Sequence, residues 1–225
     1  MHPDIGSRIE LHAHTTLSDG HLLPAALAIE AKYKGNAALA ITDHIDYSNV
    51  DFATKSIVNF CREAGDALGI KIIPGAEISY VNPKDIKKLA VRARKLGAKI
   101  IVVHGQSVNE PAVPPGTNHA AVQLKGLVNI LAHPGQISVE DVMLAKQNGI
   151  YLEISAREGH KRGNQFVAKL AKQYGAKLLV NTDAHTDHDL ITQEEALKIA
   201  QDAGLSYEEA LVAVRDNPRE LILKL

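Results

Sequence analysis

The chain has 225 residues, 45% of them hydrophobic, and its 25 basic residues nearly balance its 26 acidic ones. This length is typical of one large domain or two small ones, and the balanced charge argues against strong attraction to nucleic acids or membranes. Aromatic residues make up only 4%, so no platform for stacking bases is expected, and the single cysteine, Cys61, excludes an internal disulfide. No signal region or membrane-length apolar run is evident, which predicts a soluble cytoplasmic protein.

Strand-like and helix-like segments alternate along the chain. Seven short apolar runs are typical of buried parallel strands, in the order RIELHAH, ALAITDH, KIIPGAEIS, KIIVVHG, LVNILAHPG, YLEISAR and AKLLVNTDAH. The segments between them have helical patterns, and several end at glycines such as Gly97 and Gly175. The C-terminal tail is predicted to be helical except near Gly204 and at Asn217 and Pro218. No linker interrupts the pattern, so residues 1–225 are predicted to form one domain.

Seven strand–helix units predict either a parallel barrel or a doubly wound open sheet. The first strand is not followed by the G-x-G-x-x-G pattern, which disfavours a dinucleotide-binding version of the open sheet. A barrel gathers the C-terminal ends of all its strands around one mouth, and this is where barrel enzymes carry their chemistry. The residues at the strand ends are therefore the ones that decide between these folds and their functions.

Most of the predicted strands end in a histidine, a carboxylate or both. His12 and His14 are one residue apart in the first strand, so their side chains are expected on one face. Six of the 11 histidines fall at strand ends, and separate accidents do not explain that placement. Imidazole with carboxylate suits zinc, iron or manganese, and nine ligands suit two or three ions rather than one. The predicted ligands are His12, His14, Asp19, His44, Glu77, His104, His133, Asp183 and His185.

Residues beside these ligands have weaker predictions. Asp43 alternates to the face opposite His44 and is predicted to orient a ligand or cap the next helix rather than act in catalysis. Arg157, just past the sixth strand, is predicted to make a forked contact to phosphate oxygens. The neighbouring basic turn, with His160 in it, is expected to be solvated. Four further histidines are expected in solvent as well: His2, His21, His119 and His188.

At these residues the chain resembles the PHP family, which is named for polymerase and histidinol phosphatase. The matching stretches occur in order from the first strand to the seventh: LHAHTTLSDG, ITDH, GAEIS, VVHG, LAHPG, LEISAR and NTDAH. The segment DNPRELI near the C-terminus also resembles the closing segment of the family. Each motif alone is weak, but the ordered set is specific and extends over most of the chain.

The resemblance implies a distorted seven-stranded (β/α)7 TIM-like barrel with a trinuclear metal centre. Carried over position by position, His12, His14, Glu77 and Asp183 would hold the first metal. Glu77 would bridge to a second metal, together with His104 and His133. Asp19, His44 and His185 would hold the third metal. All nine positions have suitable residue types, and Glu77, Asp183 and Arg157 are the predicted catalytic residues.

The implied activity is phosphoester hydrolysis by a hydroxide activated on two or three zinc, manganese or iron ions. Small phosphate monoesters, as in histidinol phosphatases, are the predicted substrates, and neither a nucleic acid nor a membrane is the expected partner. The alternatives are a phosphodiesterase or nuclease that acts on nucleotide ends, an amidohydrolase, and a metal-binding or regulatory module without catalysis. The longest irregular segment, residues 105–121, is predicted to border the substrate. No oligomeric state is predicted.

Overall fold

The computed structural model describes residues 4–64, 68–107 and 112–225. The strands are β1 (Arg8–Glu10), β2 (Asn36–Ile41), β3 (His44–Ile45), β4 (Lys71–Ile78), β5 (Ile100–His104), β6 (Ile130–Ala132), β7 (Tyr151–Ser155) and β8 (Leu178–Asn181). The helices are α1 (Pro24–Tyr33), α2 (Val50–Ala64), α3 (Ile86–Leu96), α4 (Thr117–Val122), α5 (Val139–Asn148), α6 (Lys161–Tyr174), α7 (Gln193–Asp202), α8 (Tyr207–Leu211) and α9 (Asn217–Leu223). Strands and helices alternate up to β8, as the sequence pattern predicts, except that the short β3 directly follows β2.

The strands form one parallel sheet that curls into a nearly closed barrel. Its order is β1-β2-β4-β5-β6-β7-β8, and every paired neighbour runs parallel. The short strand β3 extends the line of β2 and pairs with β4, where His44 lies opposite Glu77. A parallel bridge between Ala13 and Ala184 brings the two ends of the sheet together. The predicted distorted seven-stranded barrel is confirmed, and the open sheet is not the fold.

Side chains join β1 to β8 where the barrel closes. Oε1 of the buried Glu10 accepts hydrogen bonds from the N–H groups of His12 (3.0 Å) and Thr182 (3.1 Å). Arg8, also buried, donates from Nη2 to Oε2 of Glu10 and to the carbonyl of Val180, each at 2.7 Å. These bonds satisfy backbone groups that a regular ladder would otherwise use. The backbone therefore leaves the β-ladder after Glu10, just before His12 and His14.

The barrel interior is apolar at one end and polar at the other. One buried apolar cluster takes residues from all seven strands of the path and from α9: Ile9, Leu11, Ala38, Ala40, Ile73, Ile100, Val102, Ile130, Ala132, Tyr151, Leu179 and Leu221. Side chains two positions apart share a face of a strand, so the face of Ile100 and Val102 continues to His104. By the same alternation the face of Tyr151 continues to Glu153. The polar end is thus built directly on top of a packed apolar layer.

The helices cover the outside of the barrel, and two differ from the prediction. The tail does not break at Asn217 and Pro218, because a π-helical turn over Val212–Asp216 leads straight into α9. Pro218 lies in the first turn of α9, where a missing N–H costs little. Part of the segment 105–121 forms α4 instead of irregular chain, and residues 108–111 lie outside the described residues. Among the helices that the structure describes, none has the length and apolar character of a membrane span.

Candidate metal centre

The nine predicted ligands lie together at the C-terminal mouth of the barrel. Groups of nitrogen and oxygen atoms from these residues and from His160 lie within 4.8 Å of one another. Four such groups exist among the described residues: His14, Asp19, His44 and His185; His12, His14 and Asp183; His44, Glu77 and His104; and His133, His160 and Asp183. The mouth is thus a dense arrangement of imidazoles and carboxylates of the kind that binds divalent transition metals.

The two histidines after β1 face the same carboxylates. The ring centroids of His12 and His14 are 5.1 Å apart, and both side chains are fully buried. Nε2 of His14 lies 3.0 Å from Oδ1 of Asp183, and Nε2 of His12 lies 3.6 Å from the same oxygen. The spacing of one residue therefore brings both imidazoles to one acceptor, as the alternation along an extended chain predicts.

Glu77 is the most enclosed carboxylate of the group. Its side chain is completely buried, and imidazoles surround both of its oxygens. Oε1 lies 3.4 Å from Nε2 of His12 and 3.2 Å from Nδ1 of His104. Oε2 lies 2.6 Å from Nδ1 of His44 and 3.6 Å from Nε2 of His14. A carboxylate in this position has one oxygen available on each side, which is the geometry that a bridge between two cations needs.

A tight loop returns Asp19 to the rim of the mouth. Its Oδ1 lies 3.2 Å from Nε2 of His185, and its Oδ2 lies 3.6 Å from Nε2 of His44. Gly20 is required here, because a Cβ at this position would lie 2.4 Å from the carbonyl oxygen of His14. At 58% exposure, the Asp19 side chain is much the most open of the nine ligands. Asp19, His44 and His185, the ligands predicted for the third metal, therefore lie nearest to solvent, whereas the other six predicted ligands are buried.

Asp43 holds this loop in place. Its Oδ1 accepts hydrogen bonds from the N–H of Thr15 (2.8 Å) and the hydroxyl of Ser18 (2.7 Å). Its Oδ2 accepts a third from the hydroxyl of Thr15 at 2.8 Å. Helix α2 begins only at Val50, so Asp43 does not cap it. The contacts support the interpretation of Asp43 as a residue that positions its neighbours.

Backbone strain is concentrated at the mouth. Three non-glycine residues in the described chain have φ in the left-handed region: Tyr80 (57°), His133 (31°) and Asp183 (51°). Two of them are predicted ligands, and the ring of Tyr80 lies 4.9 Å from that of His104. Such conformations cost about 1–3 kcal/mol each and persist where the surroundings enforce them, commonly at functional sites.

The carboxylates and imidazoles shift one another's pKa values. Burial alone would raise the pKa of Glu77, but His12 and His44 outweigh burial and hold it well below its usual range. The same balance lowers the pKa of Asp183. Burial lowers the pKa of His12, yet carboxylates led by Glu153 raise it well above 6.5. Burial, with a smaller contribution from the nearby His44, lowers the pKa of His14 to about 3. Metal ions bind ionised carboxylates and neutral imidazoles, so Glu77, Asp183 and His14 already have the required protonation state, whereas an ion at His12 would displace a proton.

Arg157 lies at the edge of the same cluster. Its Nη1 donates to the carbonyl of Asp183 at 3.1 Å and lies 3.5 Å from Oδ2 of that residue. It also contacts the ring of His185. The side chain is 39% exposed, so part of the guanidinium faces the open mouth. This position is compatible with the predicted phosphate contact.

Three residues of the site had no assigned role in the sequence-based prediction. His160 was expected in solvent, but it is only 6% exposed and its ring stacks on that of His133. Glu153 is completely buried and contacts the His12 ring, and Glu10 accepts a hydrogen bond from the backbone N–H of His12. The signal for Glu153 was its place on the inward face two residues after Tyr151. His160 lies outside any strand, so no periodicity marked it.

The remaining histidines differ in exposure. His188 is 91% exposed at its side chain, as expected. His119 lies on α4 rather than in a loop, and its Nδ1 donates to Oδ1 of Asp141 at 2.6 Å. His21 is exposed, and His2 lies outside the described residues. In the described chain, the histidines gathered at the mouth are therefore the predicted six and His160.

Comparison with known proteins agrees with this architecture. An uncharacterized protein of Methanocaldococcus jannaschii is 40% identical over 97% of this chain and 100% of its own length. A probable phosphatase of Thermoanaerobacter sp. strain X514 is 28% identical, over 90% of this chain and 89% of its own. Ribonuclease P protein component 3 of Methanosarcina mazei is 27% identical, over 82% of this chain and 81% of its own.

Two solved structures share the fold. The histidinol phosphate phosphatase of Lactococcus lactis, complexed with zinc, L-histidinol and phosphate, superposes with a TM-score of 0.65 at 16% identity. The match covers 89% of this chain and 95% of that one. A chain of archaeal ribonuclease P with mature tRNA superposes with a TM-score of 0.69 at 15% identity, over 96% of this chain and 89% of that one. The sequence model of the PHP domain family matches residues 10–157, which include seven of the nine predicted ligands. The chain therefore belongs to the PHP domain family.

Proposed function

We propose that this chain, as one hydrolase domain over residues 1–225, is a metal-dependent phosphoesterase for small phosphate monoesters. The observation that carries the proposal is the environment of Glu77, whose two buried oxygens face four imidazoles. A packed core gains nothing from so many ionisable groups unless something compensates their burial. Divalent cations do so, and Glu77 would then bridge two of them.

The donors fit zinc, manganese or iron(II) better than calcium or magnesium, because most are imidazole nitrogens. His12, His14 and Asp183 would hold one ion with Glu77, and His104 and His133 would hold a second with the same glutamate. Asp19, His44 and His185 would hold a third at the rim. When bound, such ions lower the pKa of water and neutralise charge on a transferring phosphoryl group.

Other residues at the mouth would bind the substrate, leave it an entrance and hold the ligands in position. Arg157 is partly exposed beside Asp183 and His185, where its fork would bind phosphate oxygens that point away from the ions. The open rim around Asp19 gives a substrate access to the buried ligands below. Glu10 and Asp43 fix the backbone on either side of the two histidines, so the ligands are ordered before a substrate arrives.

Small monoesters are favoured by the relatives. The Thermoanaerobacter relative is a probable phosphatase, and its match to this chain covers 89% of its own length. The Lactococcus structure holds zinc, histidinol and phosphate in the same fold. Nothing in the described mouth selects histidinol in particular, so the proposal names the class of substrate and not the compound.

A phosphodiester at an RNA or DNA end is the second candidate, and Tyr80 favours it. The Tyr80 side chain is 52% exposed, and its ring lies 4.9 Å from that of His104 and 6.3 Å from that of His44. An exposed aromatic face beside the reacting centre can stack a nucleobase. The likeness to ribonuclease P protein component 3 also points toward RNA.

A panel of substrates under one metal and salt condition tests the proposal. The protein is assayed with an aryl phosphate, histidinol phosphate, sugar phosphates, nucleoside monophosphates, an aryl ester and a single-stranded oligonucleotide, each with and without a chelator. We expect chelator-sensitive hydrolysis of phosphate monoesters with the highest kcat/KM. A tenfold preference for the oligonucleotide would replace the monoesterase with the nuclease, and preference for the ester would indicate an amidohydrolase-like activity. Metal binding with no hydrolysis would indicate a regulatory or binding module.

A further inference from the structure

His44 lies across the sheet from Glu77 and close to Ser79. His44 is paired with Glu77 in the parallel ladder between β3 and β4, and the N–H of Ser79 extends that ladder by donating to the carbonyl of Ile45 at 3.2 Å. Side chains two positions apart along a strand share a face, so Glu77 and Ser79 are expected on the same side, and both contact the ring of His44. The Ser79 hydroxyl therefore belongs to the buried part of the mouth, and the residue is only 5% exposed.

Two oxygen atoms lie equally close to one nitrogen of the His44 ring. Nδ1 of His44 is 2.6 Å from Oγ of Ser79 and 2.6 Å from Oε2 of Glu77. The contact with Ser79 has the direction of a hydrogen bond, whereas both oxygens of Glu77 are buried without a hydrogen-bond partner in the described chain. Because Nδ1 can carry only one proton, that proton is directed at Ser79 and not at Glu77.

The Ser79 hydroxyl is free to accept this proton. Its own O–H points at the carbonyl of Glu77, with 3.4 Å between the oxygens, so its lone pairs remain for the N–H of His44. A carboxylate oxygen that accepted the same N–H would have less charge to offer a cation. Since Ser79 accepts it instead, Oε2 of Glu77 stays available as a metal ligand.

The proton on Nδ1 also decides where the other ring nitrogen can act. In a neutral imidazole one nitrogen carries the proton and the other carries the lone pair. Nε2 of His44 lies 3.6 Å from Oδ2 of Asp19, and Oδ1 of Asp19 lies 3.2 Å from Nε2 of His185. The lone pair of Nε2 therefore faces the rim, beside the two residues that would hold the third ion with it. The opposite tautomer would place a proton on Nε2 and block that position.

We propose that Ser79 is a positioning residue of the metal centre: its hydroxyl accepts the Nδ1 proton of His44, which directs Nε2 to the ion at the rim and keeps Oε2 of Glu77 for the bridge. Partners of this kind fix the tautomer of a ligating histidine, and their loss typically lowers metal affinity about 10–100-fold. The proposal rests on the proposed function only in requiring that metal ions bind at the mouth.

The test compares Ser79→Ala with Ser79→Thr and with a control, Ser206→Ala. Alanine removes the acceptor, so the proton of His44 turns to Glu77 or moves to Nε2, and either change obstructs an ion. Threonine keeps the hydroxyl. The control also removes a hydroxyl that accepts a hydrogen bond, from the N–H of Glu209 at 3.2 Å, but at the exposed start of α8.

Zinc is titrated into each chelator-treated full chain, and bound metal is counted by elemental analysis. We expect Ser79→Ala to bind at least one ion tenfold or more weakly, Ser79→Thr to recover most of that affinity, and Ser206→Ala to match the wild type. Unchanged zinc affinity in Ser79→Ala, or an equal loss in the alanine and threonine variants, would overturn the role of the hydroxyl.

The tautomer of His44 gives a second measurement, which decides the matter even if Ser79→Ala fails to fold. In a nitrogen-15 spectrum of the zinc-loaded wild type, the His44 signals are identified by their loss in His44→Gln. Nδ1 should carry the proton, and Nε2 should have the shift of a metal-bound nitrogen. A His44 ring that binds zinc through Nδ1 would overturn the role of Ser79 while leaving the phosphoesterase proposal intact. A wild-type chain that binds no transition metal would overturn both.

Discussion

His12 donates a hydrogen bond from Nδ1 to Oε2 of Glu153 at 2.8 Å, with both side chains completely buried. A carboxylate accepts only, so this bond fixes the proton on Nδ1 and leaves Nε2 to face Glu77 and Asp183. Asn181 donates to the same oxygen of Glu153 at 2.9 Å and holds the carboxylate in place. Partners of this kind orient histidine ligands and strengthen them as donors.

The first prediction concerns this partner. Glu153→Gln keeps the volume but removes the charge that makes His12 a stronger ligand, so metal affinity should fall roughly tenfold or more, within the range known for such partners. Zinc titration of the chelator-treated protein measures the change. Glu158→Gln is the matched control, because Glu158 is 89% exposed and pairs with Lys161 at the surface. Equal zinc affinity in the two variants would remove Glu153 from the support of the centre.

The second prediction concerns the proposed bridge. Glu77→Gln should lose metal and nearly all hydrolysis while keeping the barrel, because an amide supplies neither the charge nor the second oxygen donor of a bridging carboxylate. Metal content by elemental analysis and circular dichroism of the same sample test the two parts. Glu63→Gln, at a side chain that is 73% exposed, serves as the control. A folded Glu77→Gln protein with full activity would contradict the bridge.

Much of this centre could be predicted because strand ends follow simple rules. Alternation along an extended chain gives His12 and His14 a common face, and a parallel barrel brings their strand end close to that of Glu77. Once the barrel fold is assumed, the motifs at successive strand ends bring their ligands to one mouth. That reasoning holds for residues in strands or directly after them, where backbone geometry fixes the direction of the side chain.

Prediction was harder where tertiary contacts decide the position. His160 precedes α6, and its burial depends on the contact between Gly163 and Gly135, which are 28 residues apart and have no shared pattern. The helix over Pro218 likewise depends on the wide π turn before it, whereas local rules predict a break. The closure of the barrel through Arg8 and Glu10 was also missed, because two charged residues in a strand suggest an exposed edge.

The third prediction concerns that closure. Glu10→Gln leaves the Arg8 guanidinium buried without its ion partner, and removal of one member of a buried pair costs about 3–5 kcal/mol. Glu220→Gln is the control, since Glu220 pairs with Lys177 and Lys224 at a side chain that is 36% exposed. An exposed pair contributes only about 0–1 kcal/mol. The free energies of unfolding in urea should therefore differ clearly between the variants, and similar values would mean that the Arg8 pair does not stabilise the barrel.

The fourth prediction concerns pH and the thiol. Burial raises the pKa of Cys61 from 9.0 to about 12. The native thiol thus stays protonated well above the pH at which the unfolded thiol ionises, and stability linked to it is present below about pH 9 and is lost as the pH rises toward 12. At pH 8 the thiolate fraction is roughly a thousandfold below that of a free thiol. Labelling by a disulfide reagent should be correspondingly slow in the native protein and fast in urea, and rapid native labelling would show an accessible, ionised thiol.

The last prediction concerns Arg157. If its guanidinium binds phosphate, Arg157→Ala should lose about 2–5 kcal/mol in kcat/KM, the cost of removing one partner of a buried charged contact. Arg157→Lys keeps the charge but not the planar fork, so it should recover only part of that loss. Metal content should not fall, because Arg157 is a cation next to Asp183 and His185 and its removal takes away repulsion toward bound ions. Arg162→Ala, at an exposed residue of α6, is the control for a general loss of positive charge near the mouth. Kinetics of Arg157→Ala that match this control would assign Arg157 to the solvated surface, and a loss of metal instead of kcat/KM would make it a support for the ligands.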